Sequence, residues 1–503
     1  MAKNKKVIKA VATVTVFSVF TRGLSFLFKM YLSRALGAET VGLYQISISM
    51  FYLFACFSAS GIPLVLSRKT AESRALNKEG EFSLFSSALV MGICISVAVA
   101  LVLWLGKPLL PYIVSDPKVV PMFVIMIPAI VSSTIYCIVR GWFWGSKQFT
   151  AFSITETVEE VFRILFSAIF VSGIISGLSG YYGIALAFTV SDILVAIILL
   201  ILFFSKGGKI TKPAKIKEIF LPAMPITAMR LFGGLVSTLT AILLPARLVQ
   251  AGFSVSEATA SFGRIAGMAM PLLLAPNAII SSLAIVLVPE MSENGAKNNL
   301  RLLNRQLNNG INFALLISGG FMLCFYALGE ELTLFLFKDS VSGKYLQVAS
   351  FMMLPMTVSQ LTQSALNSIG LEFKAFMNYM AGTALLVACI YFLPKFIGIY
   401  SVATASMLSL VITACLNLVT LRKKTAFRAE FLRIFIMVLL FVFPCGYFAY
   451  SLYGICRHFM GQFAIIIALP MGFFMYVALC SMTELIDIKA FLKTRFSRQA
   501  LVI

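Results

Sequence analysis

Long apolar runs separated by short charged breaks dominate the chain and set its architecture before any motif is considered. Reading the runs between breaks predicts about fourteen helices, most near the ~18–20 residues that cross a bilayer core. The first six cover residues 11–32, 41–66, 83–105, 120–144, 152–175 and 181–204. The next six cover 219–244, 258–288, 308–328, 346–368, 375–392 and 400–421, and two more cover 432–453 and 463–484. The fifth run is the least apolar, because Glu156, Glu159, Glu160 and Arg163 occupy its first half. The pattern predicts an all-α polytopic membrane protein.

Composition sharpens this reading. Of 503 residues, 60% are hydrophobic and only 12% charged, about half the roughly 25% charged content of soluble domains. Disorder, collagen and a disulfide scaffold are excluded by the same figures. A formal charge of +21 invites a nucleic-acid partner, but no Arg/Lys-rich domain stands outside the apolar runs, so none is expected. The basic residues sit in short loops, where they set orientation. An even number of spans puts both ends on one side. Lys3, Lys5, Lys6 and Lys9 precede the first run, and Lys489, Lys493, Arg495 and Arg498 follow the last. Arg68, Lys69, Arg74, Lys78, Lys147, the lysines of 205–217, Lys297, Arg301, Arg305, Lys374, Arg422, Lys423, Lys424 and Arg428 fall on that same side. The opposite loops hold far fewer, among them Arg34, Lys107, Lys118 and Arg247. Both termini are therefore expected in the cytoplasm. The first run continues past Phe20 without a small-residue cleavage site, so it reads as a retained span and not a signal peptide.

The loop SKGGKITKPAKIK (205–217) is the clearest internal punctuation. It suggests an N-terminal six-helix lobe (1–204), a basic linker (205–218), a second six-helix lobe (219–421), and a C-terminal pair of helices with a basic tail (422–503). SGIPLVLSRKTAE (60–72) and SSLAIVLVPEMSE (281–293) resemble each other loosely, and Arg22 and Arg230 stand at matching places in the two parts. Paired six-helix halves are a common transporter plan, with the substrate site near the midplane.

Charges inside the runs carry the chemistry. An ionisable residue in mid-span costs at least ~2.5–3.5 kcal/mol on insertion scales and calls for a partner or a cavity. In the first run Thr15, Ser18, Arg22, Ser25, Lys29 and Ser33 recur at helical spacings and so share one face. Thr227, Arg230, Gly234 and Ser237 repeat the arrangement in the seventh, and Arg264 lies between Gly263 and Gly267 in the eighth. No acidic residue accompanies these cations on their own segments. An arginine cannot shed its charge, so an anion must come from other helices or from the substrate. Guanidinium forks suit phosphate oxygens, which makes Arg22, Arg230 and Arg264, with Lys29 as a relay, candidate contacts for a phosphorylated or pyrophosphate substrate. Internal pairing or snorkelling to an interface is the structural alternative. Arg163 and Glu160 are spaced to satisfy each other, and Arg140 and Arg163 are read mainly as internally paired. Asp192, deep in the sixth run, is a candidate site for proton or cation coupling, or else a fixed partner of Arg140 or Arg163.

Several chemistries lack their residues. The nine cysteines are scattered without a CxxC pair, and His458 is the sole histidine, so no metal site is expected. GWFWGSK (141–147) has the wrong spacing for a nucleotide loop. No cofactor is expected, and the chain reads as a transporter and not an enzyme.

Three segments carry a family resemblance: FTRGLSFLFKMYLSRALGAETVGLYQI (20–46), SGIPLVLSRKTAE (60–72) and VRGWFWGSKQFTAFSITETVEEVFRIL (139–165). They resemble the stage V sporulation protein B group of the multidrug/oligosaccharidyl-lipid/polysaccharide (MOP) exporter superfamily, which is related to MurJ-type lipid II flippases. The resemblance implies a two-lobed, MATE-like, alternating-access transporter in the bacterial cytoplasmic membrane. Its cargo would be an undecaprenyl-pyrophosphate-linked oligosaccharide for peptidoglycan (spore cortex included) or another envelope polysaccharide. It also implies that Arg22 and Arg264 match cavity arginines on the first and eighth helices, and that the last two helices match a pair holding a lipid-tail groove. Two departures stand out. A second first-helix arginine aligns nearest Phe28, with Lys29 one position away, and the second helix has no arginine before Gly61. The site is thus less cationic than the MurJ pattern, and the resemblance does not by itself extend to lipid II as the cargo. The expected partners are the lipid-linked pyrophosphate saccharide, membrane lipids, and peptidoglycan or polysaccharide polymerases. The rival readings are a cation-coupled multidrug exporter, which should carry carboxylates in its cavity, and a membrane scaffold that recruits polymerases through its basic loops.

Overall fold

The computed structural model describes residues 2–76, 80–172, 180–297 and 299–483. Lys78 and the basic tail at Lys489, Lys493, Arg495 and Arg498 lie outside the described residues, which contain helices and no strand. Each apolar run coincides with a helix or a broken helix. Among the described residues, eight helices are long and apolar enough to cross a membrane, or ten when each of two bent pairs is taken as one span. Local chemistry accounts for the distance from about fourteen. The fifth run forms a helix with four charged residues between Glu156 and Arg163. The tenth is divided by a 3-10 turn at Ser350–Met352 and leaves a helix of 16 residues, too short to span alone. The first two runs are fused into one helix, and so are the last two into one long apolar stretch.

The chain folds as two compact units, Met1–Gly267 and Met268–Ile503. The first begins with α1 (Ala2–Ala59), interrupted at Gly37, whose φ of 76° is non-helical. A second break at Ser60 and Gly61 precedes α2 (Ile62–Ala75), with a proline in its first turn, where the missing N–H costs nothing. There follow α3 (Glu81–Leu105), α4 (Val119–Met126) and α5 (Ala129–Gly145), the last two bent by 44°. Next come α6 (Phe149–Val171), α7 (Tyr181–Ser205) and α8 (Ile216–Gln250), the last with Pro222, Pro225 and Pro245 inside it. The unit closes with α9 (Val255–Phe262), capped by a reciprocal Ser254–Glu257 box, and the start of a π-helical stretch, Gly263–Ala269.

Aromatic packing organises this unit. Phe85 stacks on Phe203 at 4.1 Å between ring centroids, and Trp142 meets Phe203 edge-on at 4.8 Å. The indole N–H of Trp142 donates to Glu81 at 2.6 Å, and Glu81 is also paired with Arg74. The basic linker is laced to α3 by its serines. Ser86 and Ser87 accept the N–H groups of Thr211 and Lys215 at 2.9 and 3.0 Å, while Ser83 donates to the Lys212 carbonyl. A close helix crossing joins the second half of α1 to α9. A Cβ on Gly42 would stand 2.0 Å from the Thr259 carbonyl oxygen, and one on Gly263 would stand 2.3 Å from that of Ala38. Only glycine permits that approach, as where small residues let membrane helices meet closely.

The second unit contains α10 (Asn277–Ala296), α11 (Leu300–Phe337), α12 (Val341–Ala349), α13 (Met353–Ser368), α14 (Glu372–Phe392) and α15 (Ser401–Thr425). It ends with α16 (Leu432–Met460) and α17 (Ile465–Met482). Side-chain amides hold it together. Asn378 donates to Asn417 at 2.9 Å, Asn417 to Thr362 at 3.3 Å, and Asn308 clamps the turn before α16 through Arg428 and Glu430. The last two helices pack on α11, where the Tyr476 hydroxyl donates to the Leu316 carbonyl at 3.1 Å.

Candidate functional site

The break between α1 and α2 creates the main polar feature of the first unit. Where a helix stops, carbonyl and N–H groups need new partners, and here α8 supplies them. Arg230 donates to the Ser60 carbonyl at 3.1 Å, and the Gly61 N–H donates to Thr227 Oγ1 at the same distance. The approach is close: a Cβ on Gly61 would stand 2.3 Å from the Ala223 carbonyl oxygen.

Beside this break lies a cavity of about 410 Å³ within the first unit. α1 contributes Phe51, Tyr52 and Cys56, while α5 contributes Ser133, Tyr136, Cys137, Arg140 and Trp144, a face with helical spacing. Glu159 and Arg163 of α6, Phe188 and Asp192 of α7, and Arg230 of α8 complete it. Arg140 pairs with Glu156 at 3.0 Å, and Arg163 pairs with Glu160 at 3.0 Å and with Glu159. Both guanidinium groups also lie against rings, Arg140 over Trp144 at 4.8 Å and Arg163 over Phe188 at 5.0 Å. Asp192 accepts a 2.5 Å hydrogen bond from Ser132 and so is fixed by a hydroxyl, while the ion pairs of both arginines go to the α6 glutamates. Tyr136 Oη, Ser60 Oγ, Arg140 Nε and Arg163 Nε are buried and have no hydrogen-bond partner among the described residues.

The expected cations separate in space. Arg230 lines the cavity, is exposed, and makes no ion pair among the described residues. Lys29 is half-buried, within electrostatic reach of Glu160, and so adjoins the α6 cluster. Arg22 is exposed on α1, and Arg264 is half-buried in the π-helical stretch. Neither lines this cavity. Arg140 and Arg163 do pair internally, and they also line the cavity, a second role that pair spacing does not disclose. Tyr136 and Trp144 carry no distinguishing mark in the sequence, because aromatic residues in an apolar run look like packing. The one available signal was the polar and aromatic face of α5.

A second polar cluster ties together the opposite end of the α1 second half. Glu39 meets Lys118 at 2.6 Å and Ser256 at 2.6 Å, while Asp116 accepts from Thr259 at 3.2 Å and from the Lys118 N–H at 3.0 Å. The Glu39 carboxylate holds the Lys118 ammonium above its ordinary range, as an opposite charge at close range does. Among the described residues, no cluster of three His, Cys, Asp or Glu side chains is arranged to hold a metal ion.

Residues 7–294, more than half of the chain, match the family described as polysaccharide biosynthesis protein. The chain belongs to that family. Among its relatives, stage V sporulation protein B of Bacillus subtilis (strain 168) is 24% identical over 431 residues, 80% of this chain and 81% of that one. Lipid II flippase MurJ of the same organism is 20% identical over 343 residues, 61% of each. Among solved structures, lipid II flippase MurJ in an inward closed conformation superposes with a TM-score of 0.74 at 14% identity, covering 93% of this chain and 98% of that one. An inward-facing MATE-family multidrug resistance transporter of the MOP superfamily gives 0.68 at 14% identity, covering 80% and 94%. This member of the polysaccharide biosynthesis family therefore has the MurJ/MATE fold.

Proposed function

We propose that the protein is a transporter that moves an undecaprenyl-pyrophosphate-linked oligosaccharide across the bacterial cytoplasmic membrane by alternating access. The observation that carries the reading is Arg230. Its guanidinium is exposed beside a polar cavity, is held by one backbone carbonyl, and keeps most of its five N–H donors for a phosphate fork. Arg22 and Arg264 are further pyrophosphate contacts, and Lys29 relays the anion. Six-helix lobes at 1–204 and 219–421 rock against each other, with both termini in the cytoplasm. The membrane potential or an ion gradient drives the cycle, with Asp192 as the coupling carboxyl group. The family and the relatives named for sporulation and for lipid II support a cargo used in peptidoglycan or another envelope polysaccharide, with polymerases as downstream partners.

One observation favours a second reading, a cation-coupled multidrug exporter. Glu159 and Asp192 bring carboxylates to the cavity. Arg163 pairs with the first, whereas Asp192 is held by the Ser132 hydroxyl, so the cargo assay includes an organic cation as the competing substrate. The test is flipping of a fluorescent undecaprenyl-pyrophosphate disaccharide-pentapeptide in proteoliposomes. Arg22→Ala and Arg264→Ala should each slow transport roughly tenfold, the worth of one charge-assisted contact, with the folded protein retained. Wild-type rates in both variants would remove these residues from the anion path.

A further inference from the structure

The basic linker and the apolar surface beside it have no part in the polar cavity. Lys206, Lys209, Lys212 and Lys217 are exposed, Lys215 is half-buried, and none of the five makes an ion pair among the described residues. Orienting the neighbouring spans asks only that lysines lie in the loop. It does not ask for a fixed backbone. Here the backbone is fixed by Ser83, Ser86 and Ser87, and the Lys215 ammonium lies over Gly80, 3.0 Å from where a Cβ would stand. Unpaired cations are thus held in place where α3 and α8 begin.

A second cavity, of about 260 Å³, opens between the same two helices. α8 lines it with Phe220, Met224, Ala228 and Leu231, α3 with Ile95, and α1 with Phe57. Phe57, Phe220 and Met224 are exposed, so the pocket faces the surroundings of the helices. Positions 217, 220, 224, 228 and 231 fall on one helical face, and Lys217 stands at its head. That stripe spans about 21 Å at 1.5 Å per residue, about half of the ~40–45 Å of a bilayer with its headgroup layers. It runs from a cation at headgroup level to an apolar pocket at the depth of acyl chains. The packing of Gly61 on Ala223 stands between this pocket, which Ala223 lines, and the polar cavity, which Ser60 lines. An occupant here is a resident and not cargo in transit.

We infer that the linker and this pocket together hold an anionic phospholipid, with its phosphate on Lys215 and Lys217 and one acyl chain against α8. A zwitterionic headgroup brings its own cation to its phosphate, so unpaired lysines select the anionic one. The inference goes beyond the proposed function and does not depend on what the protein transports.

The test is native mass spectrometry of the full chain in detergent, titrated with phosphatidylglycerol and with phosphatidylcholine of the same acyl chains. Wild type should retain phosphatidylglycerol in preference. Lys217→Gln should lower that preference roughly fivefold, the worth of one lysine at an anionic surface, and Lys217→Arg should keep it. Lys423→Gln, at an exposed lysine of the second unit, should leave the preference unchanged. Ala228→Phe fills the pocket and should weaken both lipids alike, because it acts on the chain and not on the headgroup. A fall for Lys423→Gln equal to that for Lys217→Gln would overturn the site and leave only diffuse attraction to basic loops. Undiminished binding by Ala228→Phe would overturn the pocket as the place of the acyl chain. Retention of undecaprenyl pyrophosphate in preference to phosphatidylglycerol, lost in Lys217→Gln, would overturn the resident lipid and put the cargo in its place.

Discussion

Replacing Arg230 with alanine should lower lipid flipping by roughly 100-fold while leaving the fold intact. The size follows from the hydrogen bonds that a guanidinium makes to a phosphate. A hydrogen bond to a charged group is worth about 1.5–3 kcal/mol, and about 1.4 kcal/mol changes a rate tenfold, so removing a phosphate fork at the upper end takes away two powers of ten. Arg230 is exposed, so its truncation buries no orphaned charge, and the Ser60 carbonyl it leaves behind borders a cavity that admits water. Arg230→Lys keeps the charge but loses the planar fork, and should recover only part of the rate. Initial flipping rates in proteoliposomes, paired with thermal unfolding in detergent, check both halves. A large fall in melting temperature for Arg230→Ala would assign the residue to structure.

Arg163→Met should do the reverse, with stability lost first. The Arg163 side chain is 8% exposed and answers two carboxylates, those of Glu159 and Glu160. Methionine keeps an apolar body against Phe188 but leaves two half-buried acids without their cation. Breaking a buried ion pair by removing one partner costs about 3–5 kcal/mol, so the melting temperature in detergent should drop steeply and the yield of monodisperse protein with it. Adding Glu159→Gln and Glu160→Gln should recover most of the loss, because the uncompensated charge is then gone. Lys29, which interacts electrostatically with Glu160, forms no ion pair with it among the described residues and does not replace the guanidinium. An unchanged melting temperature for Arg163→Met would mean that α6 holds these acids in water.

Different parts of the architecture were legible in the sequence for different physical reasons. Apolar run length carries the membrane helices, since a bilayer demands it, and every run coincides with helix. The number of spans was less legible, because α6 carries Glu156, Glu159, Glu160 and Arg163 in ion pairs that hydropathy scores as breaks. The break at Ser60 and Gly61 was foreshadowed by a Ser-Gly-Ile-Pro sequence, but the neighbour that satisfies it was not. Only tertiary packing brings Arg230 to a carbonyl 170 residues away. Uncompensated cations such as Arg22 and Arg230 announce themselves against an apolar background. Arg163 and Glu160 could be paired by helical spacing, whereas Arg140 and Glu156 are 16 residues apart on different helices and could not. The basic linker looked like loose punctuation because lysines draw the eye. The residues that pin it are Ser83, Ser86 and Ser87 of α3, whose spacing carries no such signal.

The most direct test of the central claim is which cargo the wild-type protein moves. Proteoliposomes containing the purified chain would be supplied in parallel with a fluorescent undecaprenyl-pyrophosphate disaccharide-pentapeptide and with a fluorescent organic cation. The account predicts translocation of the lipid-linked saccharide, sensitive to the imposed membrane potential, with no export of the cation. Export of the cation without flipping of the lipid would contradict it.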